Sequence, residues 1–175
     1  MSTPETSFFN YCPNCSSKHF TYQNNFKFHC SHCDFVLYHN IAAAVAVIFT
    51  FEDKILFAER NVNPDKGMLD LPGGFIDPNE TAEEAACREI KEELGLIVTN
   101  KDLKYITTAP NNYIFKNVAY RTMDIFYECQ LKSDVIAIKA LDEIKALLWI
   151  RRSEIDLSKI GFTSIKSVIS KRYCF

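Results

Sequence analysis

The chain has 175 residues, of which 47% are hydrophobic and 24% are charged, and its formal net charge is −2. These values are typical of globular proteins and argue against a disordered, fibrous or collagen-like chain, while the length suits one domain plus a small module. Because a near-neutral chain has no overall basic field, we do not expect nucleic acid as a partner.

The N-terminal residues MSTPETSFFN lack the charged and apolar regions of a signal peptide. The longest apolar run, residues 41–51, is too short to span a bilayer. We therefore expect a cytoplasmic protein with no membrane partner, whose thiols are kept reduced.

Four of the seven cysteines form two C-x2-C pairs that are separated by fourteen residues: Cys12, Cys15, Cys30 and Cys33. This spacing is typical of a four-cysteine zinc site, in which each pair offers two thiolates to one tetrahedral metal. The alternatives are two disulfides, which a reducing compartment disfavours, or incidental thiols, which the paired spacing disfavours. The intervening residues 19–28 predict a β-hairpin that turns at Asn24-Asn25, so residues 1–38 are expected to form a zinc ribbon.

The rest of the chain, residues 39–175, predicts one domain that mixes strands and helices. A strand over 42–51, a turn at Glu52-Asp53 and a strand over 55–60 form a predicted hairpin, which a loop rich in Gly and Pro follows. A helix is predicted from Thr81, where Thr81 and Glu84 form a capping box, to Gly95. Further elements are predicted in chain order, namely strands at 103–108, 113–118, 120–131 and 147–152 and a helix at 162–173. This order fits the α+β class, with sheet sandwiched between helices.

The predicted helix carries an unusual concentration of negative charge. Residues 80–93 contain six glutamates against one arginine and one lysine. Helical geometry brings Glu89, Glu92 and Glu93 onto one face, where their mutual repulsion favours a divalent cation such as Mg²⁺. The charge alone leaves a second interpretation open, which is a solvated acidic surface supported by ion pairs to Arg88.

The spacing around this helix favours the metal site. From Gly74 to Leu96 the sequence follows G-x5-E-x7-R-E-U-x-E-E-x-G-U, where U is apolar. This pattern resembles the signature of the Nudix hydrolase superfamily at every fixed position. The resemblance implies an α/β/α sandwich with a mixed sheet, and an enzyme that uses Mg²⁺ or Mn²⁺ to hydrolyse nucleoside diphosphates linked to another group.

The resemblance also implies roles for particular residues. It implies metal ligands at Glu89, Glu92 and Glu93, a backbone carbonyl ligand at Gly73, and a supporting or water-mediated role at Glu80. Arg88 resembles the arginine that orients these glutamates, and Glu92 or Glu93 is the expected proton acceptor. Some members of the family take the base from a loop before a late strand, where Glu143 lies in this sequence; an ordinary surface glutamate is the alternative. Arg60 is a candidate phosphate contact or a simple strand end, and Tyr113 is a candidate for stacking on a base or for packing.

The substrate is less well determined by the sequence. A four-cysteine ribbon before a Nudix domain is similar to the NADH pyrophosphatase group, but that group's S-Q-P-W-P-F-P signature is absent, and residues 107–113 read TTAPNNY. ADP-ribose, NADH or a related dinucleotide is therefore the expected substrate class. A nucleotide-sensing regulator that binds nucleic acid through the ribbon is the alternative, and the ribbon could also mediate a homodimer.

Overall fold

The computed structural model describes residues 9–23, 26–115 and 118–173 of the protein. The chain divides into two compact units, the first ending at Ile41 and the second beginning at Ala42. None of the helices in the described part of the chain is long and apolar enough to cross a membrane.

The first unit is a three-stranded antiparallel sheet with the strand order β1-β2-β3. Its strands are β1 (Phe20–Gln23), β2 (Lys27–Cys30) and β3 (Val36–Tyr38). Phe28 is fully buried at its centre among the rings of Phe9, Phe20 and Phe35. The predicted hairpin is confirmed by the pairing of β1 with β2, and its Asn24-Asn25 turn lies outside the described residues.

The second unit contains a seven-stranded sheet and two α-helices. Its elements in chain order are β4 (Ala42–Phe51), β5 (Lys54–Arg60), β6 (Leu69–Asp70), β7 (Gly73–Phe75), α1 (Ala82–Leu94), β8 (Lys104–Phe115), β9 (Val118–Gln130), β10 (Ile144–Arg151) and α2 (Thr163–Tyr173). The strand order is β10-β5-β4-β9-β8, with β6 added to β5 and β7 added to β4. The sheet is mixed, because β4 and β9 run parallel while the other pairs are antiparallel.

The two helices cover opposite faces of this sheet. Val45, Val47 and Phe49 of β4 pack in one apolar cluster with buried residues of α1, whereas Ala46 and Ile48 pack in a second cluster with buried residues of α2. Alternate residues of a strand point to opposite faces, so β4 supplies both layers. The predicted α/β/α sandwich with a mixed sheet is confirmed.

The predicted elements occur in the predicted order, but two predicted strands are one strand, and the predicted loop rich in Gly and Pro contains the short strands β6 and β7. The hairpin of β4 and β5 and the capped helix α1 form as expected, whereas the separate strands predicted at 103–108 and 113–118 are one strand, β8. Pro110 lies within β8. Among the described residues β8 ends the strand order, and an edge strand is the place in a sheet where a proline is tolerated.

The ends of α1 are fixed by local hydrogen bonds. Thr81 and Glu84 form a reciprocal capping box, in which each side chain accepts a hydrogen bond from the other's backbone N–H at 3.2 and 2.8 Å. Gly95 ends the helix in the left-handed conformation, at φ 67°, and donates its N–H to the Lys91 carbonyl oxygen. Because both ends are fixed, the register of the glutamates on α1 is fixed too.

A cleft opens where β4 and β5 separate. The two strands pair only at Thr50–Ile55 and Phe51–Lys54, next to their turn. Further along, residues 44–46 of β4 pair with β7 and residues 58–59 of β5 pair with β6. The segment joining β5 to α1 therefore lines both sides of this cleft.

Candidate active site

A cavity of about 580 Å³ occupies the cleft of the second unit. Among the residues that the structure describes, its wall carries a single basic side chain, that of Arg60, and six carboxylates. The carboxylates belong to Asp70, Glu89, Glu92, Glu93, Asp124 and Glu143. Gly73, Gly74 and Tyr113 also line it. The cavity therefore gathers the site residues that the sequence predicts in the second unit, except Glu80 and Arg88.

Arg88 braces the glutamates of α1 from beside the cavity. Its guanidinium donates to both carboxylate oxygens of Glu80, at 2.7 and 3.0 Å, and to Glu89 Oε1 at 2.8 Å. It also donates to Glu92 at 3.4 Å and to the Phe75 carbonyl oxygen at 3.0 Å. The pKa of Glu80 is lowered chiefly by its hydrogen bonds from Arg88, so Glu80 stays ionised as the partner of this arginine.

Glu93 is the most deeply buried glutamate of the helix, with a residue exposure of 9%. Its Oε2 accepts a hydrogen bond from the Gly73 N–H at 3.0 Å. Burial raises the pKa of Glu93 well above its ordinary value, against the effect of that hydrogen bond, and the nearby carboxylates of Glu89, Asp70 and Glu143 raise it further. Burial also raises the pKa of Glu89, although Arg88 opposes the shift. Glu93 thus has no cation to offset its charge among the causes of its shift, whereas Glu89 keeps Arg88 as a partially compensating partner.

Gly73 and Gly74 let the chain pass close to these carboxylates. Gly73 has φ +146°, and a Cβ on it would lie 2.1 Å from the carbonyl oxygen of Val45. A Cβ on Gly74 would lie 2.4 Å from Glu89 Oε1. The first glycine is therefore required by the backbone conformation and its contact with β4, and the second by the position of Glu89.

Arg60 is held by partners on its own side of the cleft. It donates to Asp70 Oδ2 at 2.5 Å and to the Pro64 carbonyl oxygen at 2.8 Å, and its guanidinium lies 4.9 Å from the ring centroid of Phe162. Burial raises the pKa of Asp70, while the charge of Arg60 opposes that shift. The sequence did not indicate the Arg60–Asp70 pair. This pair occupies one of the guanidinium N–H donors that Arg60 was expected to offer to a phosphate.

Tyr113 lies in an aromatic group on the cavity wall. Its ring is edge-on to Phe75, at a centroid distance of 5.7 Å, and tilted by 34° against Phe162 at 5.8 Å. All three residues line the cavity. The group presents aromatic surface to any ligand in the cleft.

Glu143 reaches the same cavity from the segment before β10. Its backbone carbonyl oxygen accepts a hydrogen bond from the Asn61 N–H at 2.7 Å. The same segment is tied to the end of α1, because the Lys139 N–H donates to the Glu93 carbonyl oxygen at 2.7 Å. The fold thus brings Glu143 to the carboxylates of α1, where its charge raises the pKa of Glu89 and of Glu93.

The model of the NUDIX domain family matches residues 39–171 of this chain. The chain belongs to this family. Among curated relatives, the ADP-ribose pyrophosphatase of Methanocaldococcus jannaschii is 48% identical over 75 residues, which are 43% of this chain and 44% of that protein. The NAD-capped RNA hydrolase NudC of Escherichia coli is 33% identical over 100 residues, which are 57% of this chain and 38% of that protein. The chain therefore matches less than half the length of these relatives.

Solved structures show the same NUDIX fold. A MutT NUDIX hydrolase from Burkholderia pseudomallei has a TM-score of 0.63 at 22% identity, over 76% of this chain and 98% of that one. A NUDIX hydrolase from Nitrosomonas europaea has a TM-score of 0.58 at 22% identity, over 93% of this chain and 91% of that one. The NUDIX domain of Shewanella oneidensis NrtR, complexed with ADP ribose, has a TM-score of 0.59 at 18% identity, over 76% of this chain and 87% of that one.

The carboxylates of the NUDIX unit suit a divalent cation, although their oxygens are not gathered as tightly as metal ligands. Among the described residues, the four cysteines of the first unit form the only group of three or more Cys, His, Asp or Glu ligand atoms that lie within 4.8 Å of one another. In the NUDIX unit, Arg88 holds Glu89 and the Gly73 N–H holds Glu93. The excess of negative charge along the cavity wall nevertheless fits hard cations, which carboxylate oxygens bind best.

A buried polar group, which the sequence did not indicate, forms a further part of the wall. Thr122 and Asp124 of β9 and Asn111 of β8 line the cavity, and each is less than a tenth exposed. They are linked to the start of α2 by hydrogen bonds with Thr163 and Ser164. The only sequence signal is the pair of polar residues Thr122 and Asp124, whose spacing of two places both on one face of the strand predicted at 120–131.

In the first unit, the four cysteines form a compact cluster. The sulfur atoms of Cys12 and Cys33 are 3.8 Å apart, and those of Cys15 and Cys30 are 3.7 Å apart. All four thiols are free, since these separations far exceed a disulfide bond of about 2.05 Å. Hydrogen bonds from Asn14, at 3.5 Å, and from the Phe35 backbone lower the pKa of Cys33 to about 6, which favours the thiolate form that binds zinc. Against a hydrogen bond from the Ser17 backbone, burial and the neighbouring cysteine thiols raise the pKa of Cys15 to about 12.

Proposed function

We propose that the protein hydrolyses the diphosphate linkage of ADP-ribose, NADH or a related dinucleotide in a reaction that depends on Mg²⁺ or Mn²⁺. The observation that carries the proposal is the cavity wall, to which the described part of the chain contributes six carboxylates and one guanidinium. An anionic diphosphate can enter such a cavity only when cations offset the negative charge. Family membership and the intact signature from Gly74 to Leu96 support the same reaction.

Glu89, Glu92 and Glu93 of α1 are the proposed metal ligands, together with the Gly73 carbonyl oxygen. When bound, divalent metal would offset charge on the diphosphate and lower the pKa of an attacking water. Glu80 and Arg88 are proposed as positioning residues, because Arg88 contacts Glu80, Glu89 and Glu92 and neither Glu80 nor Arg88 lines the cavity.

The proton acceptor is proposed to be one of the carboxylates that face the cavity, namely Glu92 or Glu93 of α1 or Glu143 of the segment before β10. Burial and neighbouring carboxylates raise the pKa of Glu93, which makes it a stronger base than an exposed glutamate. Glu143 belongs to the same charged group. Its position in the cavity supports a functional role over that of an ordinary surface glutamate.

The nucleotide part of the substrate is proposed to bind on the other walls of the cleft. Arg60 keeps a guanidinium in the cavity although it is paired with Asp70, and Tyr113 offers an aromatic ring beside Phe75. The curated relatives are named for ADP-ribose and NAD-capped RNA, both of which contain an adenosine diphosphate. This shared chemistry supports an adenosine-containing substrate.

A hydrolysis screen tests the proposal. Purified protein is incubated with Mg²⁺ or Mn²⁺ and with ADP-ribose, NADH, dinucleoside polyphosphates, coenzyme A or oxidised deoxynucleoside triphosphates. We expect turnover of ADP-ribose or NADH with release of AMP. Absence of turnover on every compound would contradict the enzyme, and nucleotide binding without hydrolysis would favour a nucleotide sensor instead.

We also propose that the four cysteines hold one structural zinc ion, that residues 1–38 form the zinc ribbon and that residues 39–175 form the NUDIX domain. The spacing of the two C-x2-C pairs and the clustered sulfur atoms support the zinc site. A three-stranded unit of this size has a small core, so a bound metal would supply much of its folding free energy.

A further inference from the structure

The polar group on the α2 side of the cavity has one residue with an unused donor. Asn111 is 8% exposed and lines the cavity. Its Oδ1 accepts a hydrogen bond from the Thr163 hydroxyl at 3.0 Å, which assigns the amide oxygen to the protein side. In the described part of the chain, its amide nitrogen has no hydrogen-bond partner. Every fully buried side-chain nitrogen or oxygen of the described residues does have a partner, so this nitrogen is not fully buried. The nitrogen is therefore accessible from the cavity and can donate to a ligand.

Asp124 provides acceptors beside this donor. Its Oδ1 accepts from the Thr122 hydroxyl at 2.6 Å and its Oδ2 accepts from the Ser164 hydroxyl at 2.5 Å. A carboxylate can accept about four hydrogen bonds, so lone pairs remain for a ligand. Asn111 pairs with Thr122 across β8 and β9, and Asp124 lies two residues further along β9 on the same face.

The neighbouring side chains leave room for a flat ring. Ala44 of β4 lies between two partners in the sheet, Asp124 of β9 on one side and Phe75 of β7 on the other. The small methyl group of Ala44 therefore separates the Asp124 carboxylate from the Phe75 ring. Ala46 also lines the cavity, and Tyr113 stands edge-on to Phe75. A polar edge with one donor and one acceptor thus adjoins small and aromatic side chains, which is the environment that a nucleobase requires.

We propose that Asn111 and Asp124 bind the adenine base of the substrate. The exocyclic amine of adenine donates to the Asp124 carboxylate, and the adjacent ring nitrogen accepts from the Asn111 amide. This inference rests on the proposed function for the adenosine part of the substrate, and it assigns base recognition to strands β8 and β9, outside the signature sequence.

The first test changes the ligand and leaves the protein intact. Binding to the full chain in Mg²⁺ buffer is measured by calorimetry for AMP, for purine riboside 5′-monophosphate, which lacks the amine, and for 2′,3′-dideoxy-AMP, which lacks the ribose hydroxyls. We expect loss of the amine to weaken binding about tenfold or more, as for a hydrogen bond to a charged group, and loss of the hydroxyls to weaken it less than about threefold. If loss of the ribose hydroxyls weakens binding more than loss of the amine does, Asp124 binds the ribose instead. If all three compounds bind with equal affinity, neither group is bound there. Either result overturns the proposal.

The second test uses paired variants. Asp124→Asn is expected to reduce the preference for AMP over the amine-free analogue to less than about threefold, because the charged acceptor is gone. Ser164→Ala is the matched control: it removes a hydroxyl that binds Asp124 but does not line the cavity. If Asp124 only tethers α2, both substitutions change AMP binding alike and leave the preference for the amine intact, which would contradict the proposal.

The two proposals fail in different ways. Hydrolysis of ADP-ribose or NADH by wild-type protein that shows no amine preference would refute base recognition by Asn111 and Asp124 and leave the reaction standing. Amine-dependent AMP binding without hydrolysis of any compound would refute the proposed reaction and retain the base site. If AMP does not bind at all, base recognition is refuted whatever the outcome of the hydrolysis screen.

Discussion

Arg88 donates two hydrogen bonds to Glu80, at 2.7 and 3.0 Å, and its third guanidinium nitrogen donates to Glu89 at 2.8 Å. The planar guanidinium makes this arrangement possible, since one rigid group spans two carboxylates. Glu80 precedes α1 and Glu89 lies within it, so the arginine fixes a cavity carboxylate relative to the loop before the helix.

Replacement of this fork by a point charge tests its positioning role. Arg88→Lys keeps the charge but cannot hold both carboxylates, so we expect activity or metal affinity to fall about 10- to 100-fold, as for other residues that orient metal ligands. Steady-state kinetics over a Mn²⁺ titration measures both effects. Lys91→Arg, on the same helix, is the control, and an unchanged Mn²⁺ dependence in Arg88→Lys would show that the fork has no positioning role.

Glu93 is expected to destabilise the metal-free protein at neutral pH. Burial raises the pKa of Glu93 in the folded state, so Glu93 ionises at a lower pH in the unfolded chain than in the folded one. The free energy of unfolding is therefore lowered above about pH 4.5, the ordinary pKa of glutamate. Glu93→Gln keeps an acceptor for the Gly73 N–H and removes the charge. We expect the variant to be more stable than wild type at pH 7 without metal, by about 1 to 3 kcal/mol, the usual penalty for an uncompensated buried group.

The same comparison has two internal controls. The stability difference between Glu93→Gln and wild type should shrink as the pH falls toward about 4.5, where both states of the wild type become protonated. Saturating Mn²⁺ should stabilise wild type more than the variant, because metal binding is linked to folding. Thermal unfolding curves measure each effect, and a variant that is less stable than wild type in metal-free buffer at pH 7 would contradict the burial argument.

The two adjacent glycines should respond differently to substitution. Gly74→Ala introduces a methyl group 2.4 Å from Glu89 Oε1, so we expect the Glu89 side chain to be displaced and activity to fall about tenfold or more, with a small effect on stability. Gly73→Ala meets the Val45 backbone at 2.1 Å in addition to its strained φ, and should destabilise the fold. Gly67→Ala, which has a positive φ but open space around it, is the control for backbone strain alone.

The cysteine cluster should bind about one zinc ion per chain, and its loss should unfold the first unit. Metal analysis of protein purified without chelator measures the zinc content, and limited proteolysis after treatment with a strong chelator should cut before Ile41 while the unit from Ala42 onward resists. Cys33→Ser should reproduce the chelator effect, and Cys87→Ser, outside the cluster, should not. A zinc content far below one per chain would refute the site.

The sequence predicted those parts of the fold whose signals are local. The capping box at Thr81, the stop at Gly95 and the turn at Glu52-Asp53 act within a few residues, and each corresponds to an observed helix end or hairpin. The strand β8 was divided because Pro110 normally interrupts strands, and its position at a sheet edge depends on distant pairing. The two-residue strand β6 was missed because it is too short to carry a periodic pattern.

In the candidate site, too, the sequence predicted contacts within one element but not contacts between elements. Glu89, Glu92 and Glu93 share one helix, so their spacing alone places them together. The Arg60–Asp70 pair joins two strands. The group of Asn111, Asp124 and Ser164 joins the consecutive strands β8 and β9 to α2, where Ser164 lies 40 residues after Asp124. No periodicity in the sequence reports such contacts, since they form only when the sheet and α2 are packed.

The central claim is that the carboxylates of α1 support metal-dependent hydrolysis of a nucleoside diphosphate derivative. The most direct measurement is the rate of AMP release from ADP-ribose, with and without Mg²⁺ or Mn²⁺, by wild type and by Glu93→Gln. We predict release by wild type that requires the metal, and a loss of about 100-fold or more in the variant at saturating metal, as for removal of a catalytic carboxylate. Equal rates for the two proteins, or release by wild type that persists in excess chelator, would contradict the account.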